Sequence, residues 1–159
     1  MSLLVRNIAF TLVVPGVGGV LAPWWLLGFE VPAVRGWYAL GVIAAGAALY
    51  VAAVRAFAVT GRGTPGPWDA PRRVVATGPY RYVRNPIYLA AMLILLGQAG
   101  LFGSVRLLGY AAGAGVAFHL IVVGYEEPRL RKAFGEGYGA YVRTVHRWIP
   151  RLRAPRMSG

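Results

Sequence analysis

Two stretches of this chain gather side chains suited to holding a small charged molecule. The first runs Thr77-Gly-Pro-Tyr-Arg-Tyr-Val-Arg-Asn-Pro-Ile-Tyr88. Gly78 and Pro79 signal a turn. Arg81 and Arg84 supply cations, and Tyr80, Tyr82 and Tyr88 supply aromatic rings. Asn85 before Pro86 suits a helix N-cap with proline at the first helical position. Helix N-termini attract anions, so the segment places cations, rings and a helix start together. A basic membrane-border anchor ending in a helix cap accounts for the same residues.

The second stretch begins at Glu126 and Glu127, two of only five acidic residues, at the edge of a long apolar run. A carboxylate in that position is costly unless paired. It either makes an ion pair with a nearby arginine, Arg84 or Arg129, or binds a cationic ligand. Leu130, Phe134 and Gly135 follow, the glycine being a plausible helix C-cap. Tyr138, Tyr141, Val142 and Val145 then share one face of a short amphipathic helix, which lies on the membrane surface or over a pocket. His146 can titrate or pack at the interface. Arg147 can bind a carboxylate or a lipid phosphate, and Trp148 stands beside it. His119, alone in its apolar run, reads as a hydrogen-bonded bundle residue or as one facing a substrate.

These residues must be carried by apolar elements. Of the 159 residues, 57% are hydrophobic and 14% are charged, and mean hydropathy is +0.54. Soluble domains average about 25% charged residues. The net charge of +12 can suggest nucleic acid, but the charges sit at the ends of apolar runs, as expected of a basic rim facing anionic lipid. No nucleic-acid partner is expected. The chain has no cysteine, which excludes disulfides and thiolate chemistry, and with so few acids no metal centre is expected. The first apolar run is too long for the core of a cleavable signal peptide.

Ile8–Phe29, Gly36–Val54, Asn85–Val105 and Leu107–Tyr125 are free of charged residues. Each approaches the roughly 20 residues that cross a bilayer as a helix. The expected fold is all-α: a single domain over 1–159, a polytopic transmembrane helical bundle of about four spans, with a cytoplasmic C-terminal helical cap. The spans fall near 8–29, 36–58, 86–104 and 106–127, and the polar cytoplasmic region comprises 77–88 and 126–151. With both termini inside, every basic residue except Arg35 and Arg106 is cytoplasmic, as the positive-inside rule asks. A bacterial or archaeal inner membrane fits this pattern. Spans three and four form a tight hairpin, with Gly97, Gly100 and Gly103 expected to pack closely on Gly109 and Gly113. Pro15 and Pro23 are tolerated within span one or kink it. Trp24, Trp25 and Trp37 read as an aromatic belt at the outer face.

Taken together, Gly78-Pro-Tyr-Arg-Tyr-Val-Arg-Asn-Pro-Ile-Tyr88, Glu126-Glu127, Phe134-Gly-Glu-Gly-Tyr-Gly-Ala-Tyr141 and Arg147-Trp-Ile-Pro150 resemble the isoprenylcysteine carboxyl methyltransferase and phospholipid methyltransferase superfamily. The resemblance covers roughly the C-terminal half; spans one and two are alike only in being hydrophobic. It implies S-adenosylmethionine as methyl donor and a pocket at the cytoplasmic ends of the last two spans. The cofactor-binding residues it implies are Gly78, Pro79, Tyr80, Arg81, Tyr82, Arg84, Asn85, Pro86, Tyr88, Glu126, Glu127, Leu130, Phe134 and Tyr138. Glu127 and Arg84 are the implied catalytic residues, and Tyr141, His146, Arg147 and Trp148 the implied substrate-binding ones. The implied acceptor is lipophilic, a prenylcysteine-like carboxylate or a phospholipid amine. The family pattern often has histidine where this chain has Asn85, which cannot become a cation or an imidazole base. No glycine fingerprint of a dinucleotide fold is present. The alternatives are a membrane reductase using a nicotinamide cofactor and a non-enzymatic membrane partner protein on the same scaffold.

Overall fold

The computed structural model describes residues 15–30, 32–61 and 74–151. Arg6, the start of the first expected span at 8–14, the loop charges Arg62, Asp69, Arg72 and Arg73, and the tail residues Arg153 and Arg156 lie outside them. The described residues are helical, with no strand among them. Four helices form the body: α1 (Val17–Leu26), α2 (Ala39–Gly61), α3 (Pro86–Phe102) and a helical stretch Val105–Thr144 that is kinked at Gly135. That stretch is α4 (Val105–Ile121), a π-helical segment Val122–Glu126, and α5 (Glu127–Thr144).

Two of these helices, Ala39–Gly61 and Val105–Thr144, are long and apolar enough to cross a membrane. With 17 residues, α3 rises about 25 Å, slightly less than the hydrocarbon thickness. Its length is set by its ends. Pro86 opens it without needing an intrahelical donor, and Gly103 closes it in the left-handed conformation, at φ 58°. Ser104 then caps α4 by accepting from the Leu107 amide at 3.4 Å. The two-residue connection makes the expected hairpin.

The expected glycine contact across that hairpin is not what the structure shows. A Cβ at Gly109 or Gly113 would meet nothing within 4 Å. The close approach is between α2 and α3 instead. A Cβ at Gly46 would lie 2.9 Å from the Ala90 carbonyl, and one at Gly97 would lie 2.6 Å from Ile43. Small residues admit the backbones to each other here, and the α3 glycines face the earlier helix.

Prolines explain two helical irregularities. Val17–Leu21 and Val122–Glu126 are both π-helical, and each lies just before a proline, Pro23 and Pro128. The ring crowds the preceding turn and removes a donor. Pro23 cannot donate to Gly18 or Gly19. The Tyr110 hydroxyl donates to Gly18 O at 2.8 Å, and the Gln98 amide donates to Gly19 O at 2.7 Å. These two carbonyls, beside the point where Pro23 removes one helical donor, are where α3 and α4 grip α1.

The bundle has two distinct ends. At one, the Arg35 and Gly36 amides donate to Leu101 O, beside exposed Trp24, Trp25 and Trp37, the residues expected to form an aromatic belt. At the other lie the 78–88 turn, Glu126 and Glu127, and the chain from 138 to 151.

Candidate functional site

Gly78–Arg81 forms one 3-10 turn. Gly78 adopts φ 55°, and a Cβ there would press on Ala56 at 3.1 Å, so glycine is required twice over. Pro79 follows, and Tyr80 drops into a core of Ala53 and Val75 flanked by Phe57. Burying Tyr80 against α2 swings the chain so that Arg84 and Asn85 project toward the far end of α4.

There Glu127 is 5% exposed and carries the densest polar contacts of the described molecule. Arg147 Nε donates to its Oε1 at 2.7 Å, and Arg147 Nη2 donates to its Oε2 at 2.9 Å. Arg84 Nη1 donates to Oε1 at 3.0 Å. Arg131, one turn along the helix and exposed, stands 3.9 Å away. The bidentate fork gives fixed geometry as well as energy. The hydrogen bond to Glu127 pushes the Arg147 guanidinium above its ordinary value. Arg84 thus pairs with Glu127, and Arg129 donates to the Tyr125 hydroxyl and lies over its ring at 5.2 Å.

The adjacent carboxylate has a different environment. Glu126 accepts a hydrogen bond from the Tyr88 hydroxyl, and among the described residues no cation pairs with it. Two neighbouring acids on one helix therefore face different groups: Glu127 meets arginines, and Glu126 meets the first turn of α3.

The C-terminal segment is tied over the 80–85 turn. The Arg84 amide donates to His146 O at 2.9 Å, and the Arg151 amide donates to Tyr82 O at 3.0 Å. Asn85 Nδ2 donates to Arg147 O at 3.2 Å. This corrects the expectation for Asn85: its side chain makes no helix cap, because it is used to hold the returning chain. The Tyr141 hydroxyl donates to the buried Tyr80 carbonyl at 2.8 Å. Gly135, expected as a C-cap, takes φ 52° and kinks α5. The turn it makes lets Tyr138, Tyr141 and Val145 pack together, with Leu130, Phe134 and Val142 against them. Burial raises the Tyr80, Tyr138 and Tyr141 hydroxyls above their ordinary range, so they remain neutral.

The structure thus brings together Arg84, Asn85, Tyr88, Glu126, Glu127, Arg147 and Trp148. It places Tyr80, Leu130, Phe134, Tyr138 and Tyr141 in packing roles around them. Pro86 is buried as the first residue of α3. Arg81, Tyr82 and His146 are exposed, the last two contributing main-chain carbonyls. Phe118 was not anticipated: its ring centroid lies 4.8 Å from that of Tyr88. His119 Nδ1 accepts from Trp148 Nε1 at 3.2 Å. No local pattern marks Phe118, since its partners come from other helices.

Residues 34–137 match the family described as phospholipid methyltransferase. That span is more than half of the chain and holds the 78–88 turn, the acid pair and the hairpin between them. The chain belongs to the phospholipid methyltransferase family. No match was found among curated proteins or solved structures. The matched range corrects the narrower sequence resemblance, because it begins at Val34 and takes in all of α2. It ends at Gly137, so the part of the methyltransferase that supplies Tyr141, Arg147 and Trp148 lies beyond the matched range.

Proposed function

We propose that the protein is a membrane-embedded methyltransferase that moves a methyl group from S-adenosylmethionine to a lipophilic acceptor. The observation that carries this reading is the meeting of Arg84, Glu126–Glu127 and Arg147 at one end of an apolar bundle of this family. The bundle crosses the membrane four times, with both termini and this end on the cytoplasmic side, so a polar donor and a lipid acceptor meet at the interface.

The residues present suit the donor. Arg84 Nε is buried without a hydrogen-bond partner, an unused donor fit for a ligand carboxylate. Glu126, held by Tyr88 and opposed by no described cation, suits a cationic ligand group. The rings of Tyr88, Phe118 and Trp148 offer faces for a sulfonium or a base. Bound there, S-adenosylmethionine supplies an electrophilic methyl on a positive sulfur.

The geometry divides the work of the two acids. Glu127, saturated by Arg84 and Arg147, positions those arginines and through them the chain segments that bear them. Glu126 is the acid left to face a ligand and to accept a proton from an amine acceptor; a carboxylate acceptor needs no base. Alignment of nucleophile, methyl and sulfur is the main task, and positioning alone can supply ~7–11 kcal/mol. Transfer of label from S-adenosylmethionine into extractable lipid by the purified protein tests the reading. Absence of transfer together with binding of a reduced nicotinamide cofactor would favour the reductase instead.

A further inference from the structure

Beside the polar cluster, α3 and α4 leave a cavity of about 280 Å³ lined by Met92, Gly115, Phe118, His119 and Trp148. Its walls are a thioether, a bare helix backbone and two aromatic faces. The one polar side chain besides the indole is His119, and its Nδ1 is occupied by the Trp148 Nε1–H. The other described walls, Met92, Gly115 and the Phe118 ring, carry no polar side chain. The cavity therefore suits an apolar occupant.

Its position narrows that occupant. Met92 lies in the uncharged run Asn85–Val105, and Gly115, Phe118 and His119 lie in the uncharged run Leu107–Tyr125. Val116 and Leu120 on the same helix are 62% and 63% exposed, an apolar surface suited to lipid, and His119 is exposed at the rim. The inner end reaches the candidate site through one ring. The Tyr88 ring lies tilted against Phe118, centroids 4.8 Å apart, and edge-on to Trp148 at 6.5 Å, while its hydroxyl holds Glu126. Ligand pockets for whole drug-sized molecules are about 300–1,000 Å³, so this one takes a single chain segment rather than a complete lipid.

We infer that this cavity is the subsite for the apolar chain of the methyl acceptor, and that it admits one hydrocarbon chain between α3 and α4 with the headgroup directed to Tyr88 and Glu126. The inference rests on the methyltransferase reading for what happens at the headgroup, but chain binding is independent of it. Trp148 is the specificity-determining wall: among the described residues the only lining one outside α3 and α4, it is fixed by its bond to His119. Gly115 is the permissive one, since a Cβ there would meet only the Met92 methyl and sulfur, at 3.3 and 3.6 Å.

The test uses the full chain in lipid nanodiscs and a palmitoyl lysophospholipid bearing a diazirine in its chain. After photolysis, crosslinks are mapped by mass spectrometry, and S-adenosylhomocysteine binding is measured by calorimetry on the same samples. The expected result is labelling at Met92, Phe118 or Trp148, reduced about tenfold in Gly115→Leu, the effect of leaving some two methylene groups unburied. Gly115→Ala, which adds one methyl beside a flexible thioether, should give an intermediate loss and guards against a folding defect in the larger variant. Labelling that avoids these residues, or that neither variant changes, overturns the subsite even where S-adenosylhomocysteine binds. Labelling blocked by Gly115→Leu in protein that binds no S-adenosylhomocysteine upholds the chain subsite and removes the methyltransferase reading.

Discussion

Arg147 reaches back across 20 residues to grip both carboxylate oxygens of Glu127, at 2.7 and 2.9 Å. The pair joins the end of the amphipathic helix to its beginning. Because Arg84 shares Oε1, it also joins both to the turn before α3. A buried ion pair is weak evidence of net stability. Its use here is to hold three chain segments in one arrangement.

Removing the shared acid should therefore act first on the fold of this end. Glu127→Gln leaves Arg84, with a side chain only 10% exposed, without a counter-charge. Breaking a buried pair costs about 3–5 kcal/mol, and because Arg147 is partly exposed the lower part of that range is expected. Thermal denaturation in detergent with and without S-adenosylhomocysteine checks this. A variant as stable as the parent would return Glu127 to a ligand-binding role.

Glu126→Gln should behave differently. It keeps an acceptor for Tyr88 but removes the charge offered to a cationic ligand. S-adenosylmethionine carries a positive sulfonium that S-adenosylhomocysteine lacks, so its affinity should fall more, by about 1–4 kcal/mol, the Coulomb scale for two unit charges about 4 Å apart near a protein surface. The measurement is the ratio of the two dissociation constants. Equal losses would mean that Glu126 does not read that charge.

Tyr141 was expected in the acceptor site but spends its hydroxyl on Tyr80 O inside the protein. Tyr141→Phe should lower stability by about 1 kcal/mol, a typical buried hydrogen bond, with the KM for acceptor unchanged. A raised acceptor KM at unchanged stability would restore the substrate role.

The docking of α1 rests on two carbonyls that Pro23 cannot serve. Gln98→Leu and Tyr110→Phe should each cost about 0.6–1.7 kcal/mol, the range found for hydrogen bonds between membrane helices. Unfolding of both single variants and the double variant in detergent checks this. No loss from either would mean that α1 is held by packing alone.

Much of this architecture is legible in the sequence. Uncharged runs bounded by charged residues marked the helices, and Pro86 marked the start of α3. The stripe Tyr138, Tyr141, Val142 and Val145 turned inward as its spacing required. Pairing was harder to read. Gly109 and Gly113 look like a packing motif, yet Gly46 and Gly97 make the close contact, because a glycine shows that approach is possible and not which helix approaches. Asn85 before Pro86 has the local form of a cap. A carbonyl 62 residues away took its amide instead, and local sequence carries no record of such a partner. The different fates of Glu126 and Glu127 depend on which neighbours the π-helical turn before Pro128 presents to each, again a non-local outcome.

S-adenosylmethionine is proposed to bind at this end of the bundle. The measurement that tests it most directly is calorimetric titration of purified protein in detergent with S-adenosylhomocysteine, with a reduced nicotinamide cofactor and ATP titrated in parallel. Saturable binding of S-adenosylhomocysteine alone is expected, weakened by Arg84→Ala, which removes the unpartnered Nε donor. Folded protein that binds none of the three, or that binds the nicotinamide cofactor instead, would contradict it.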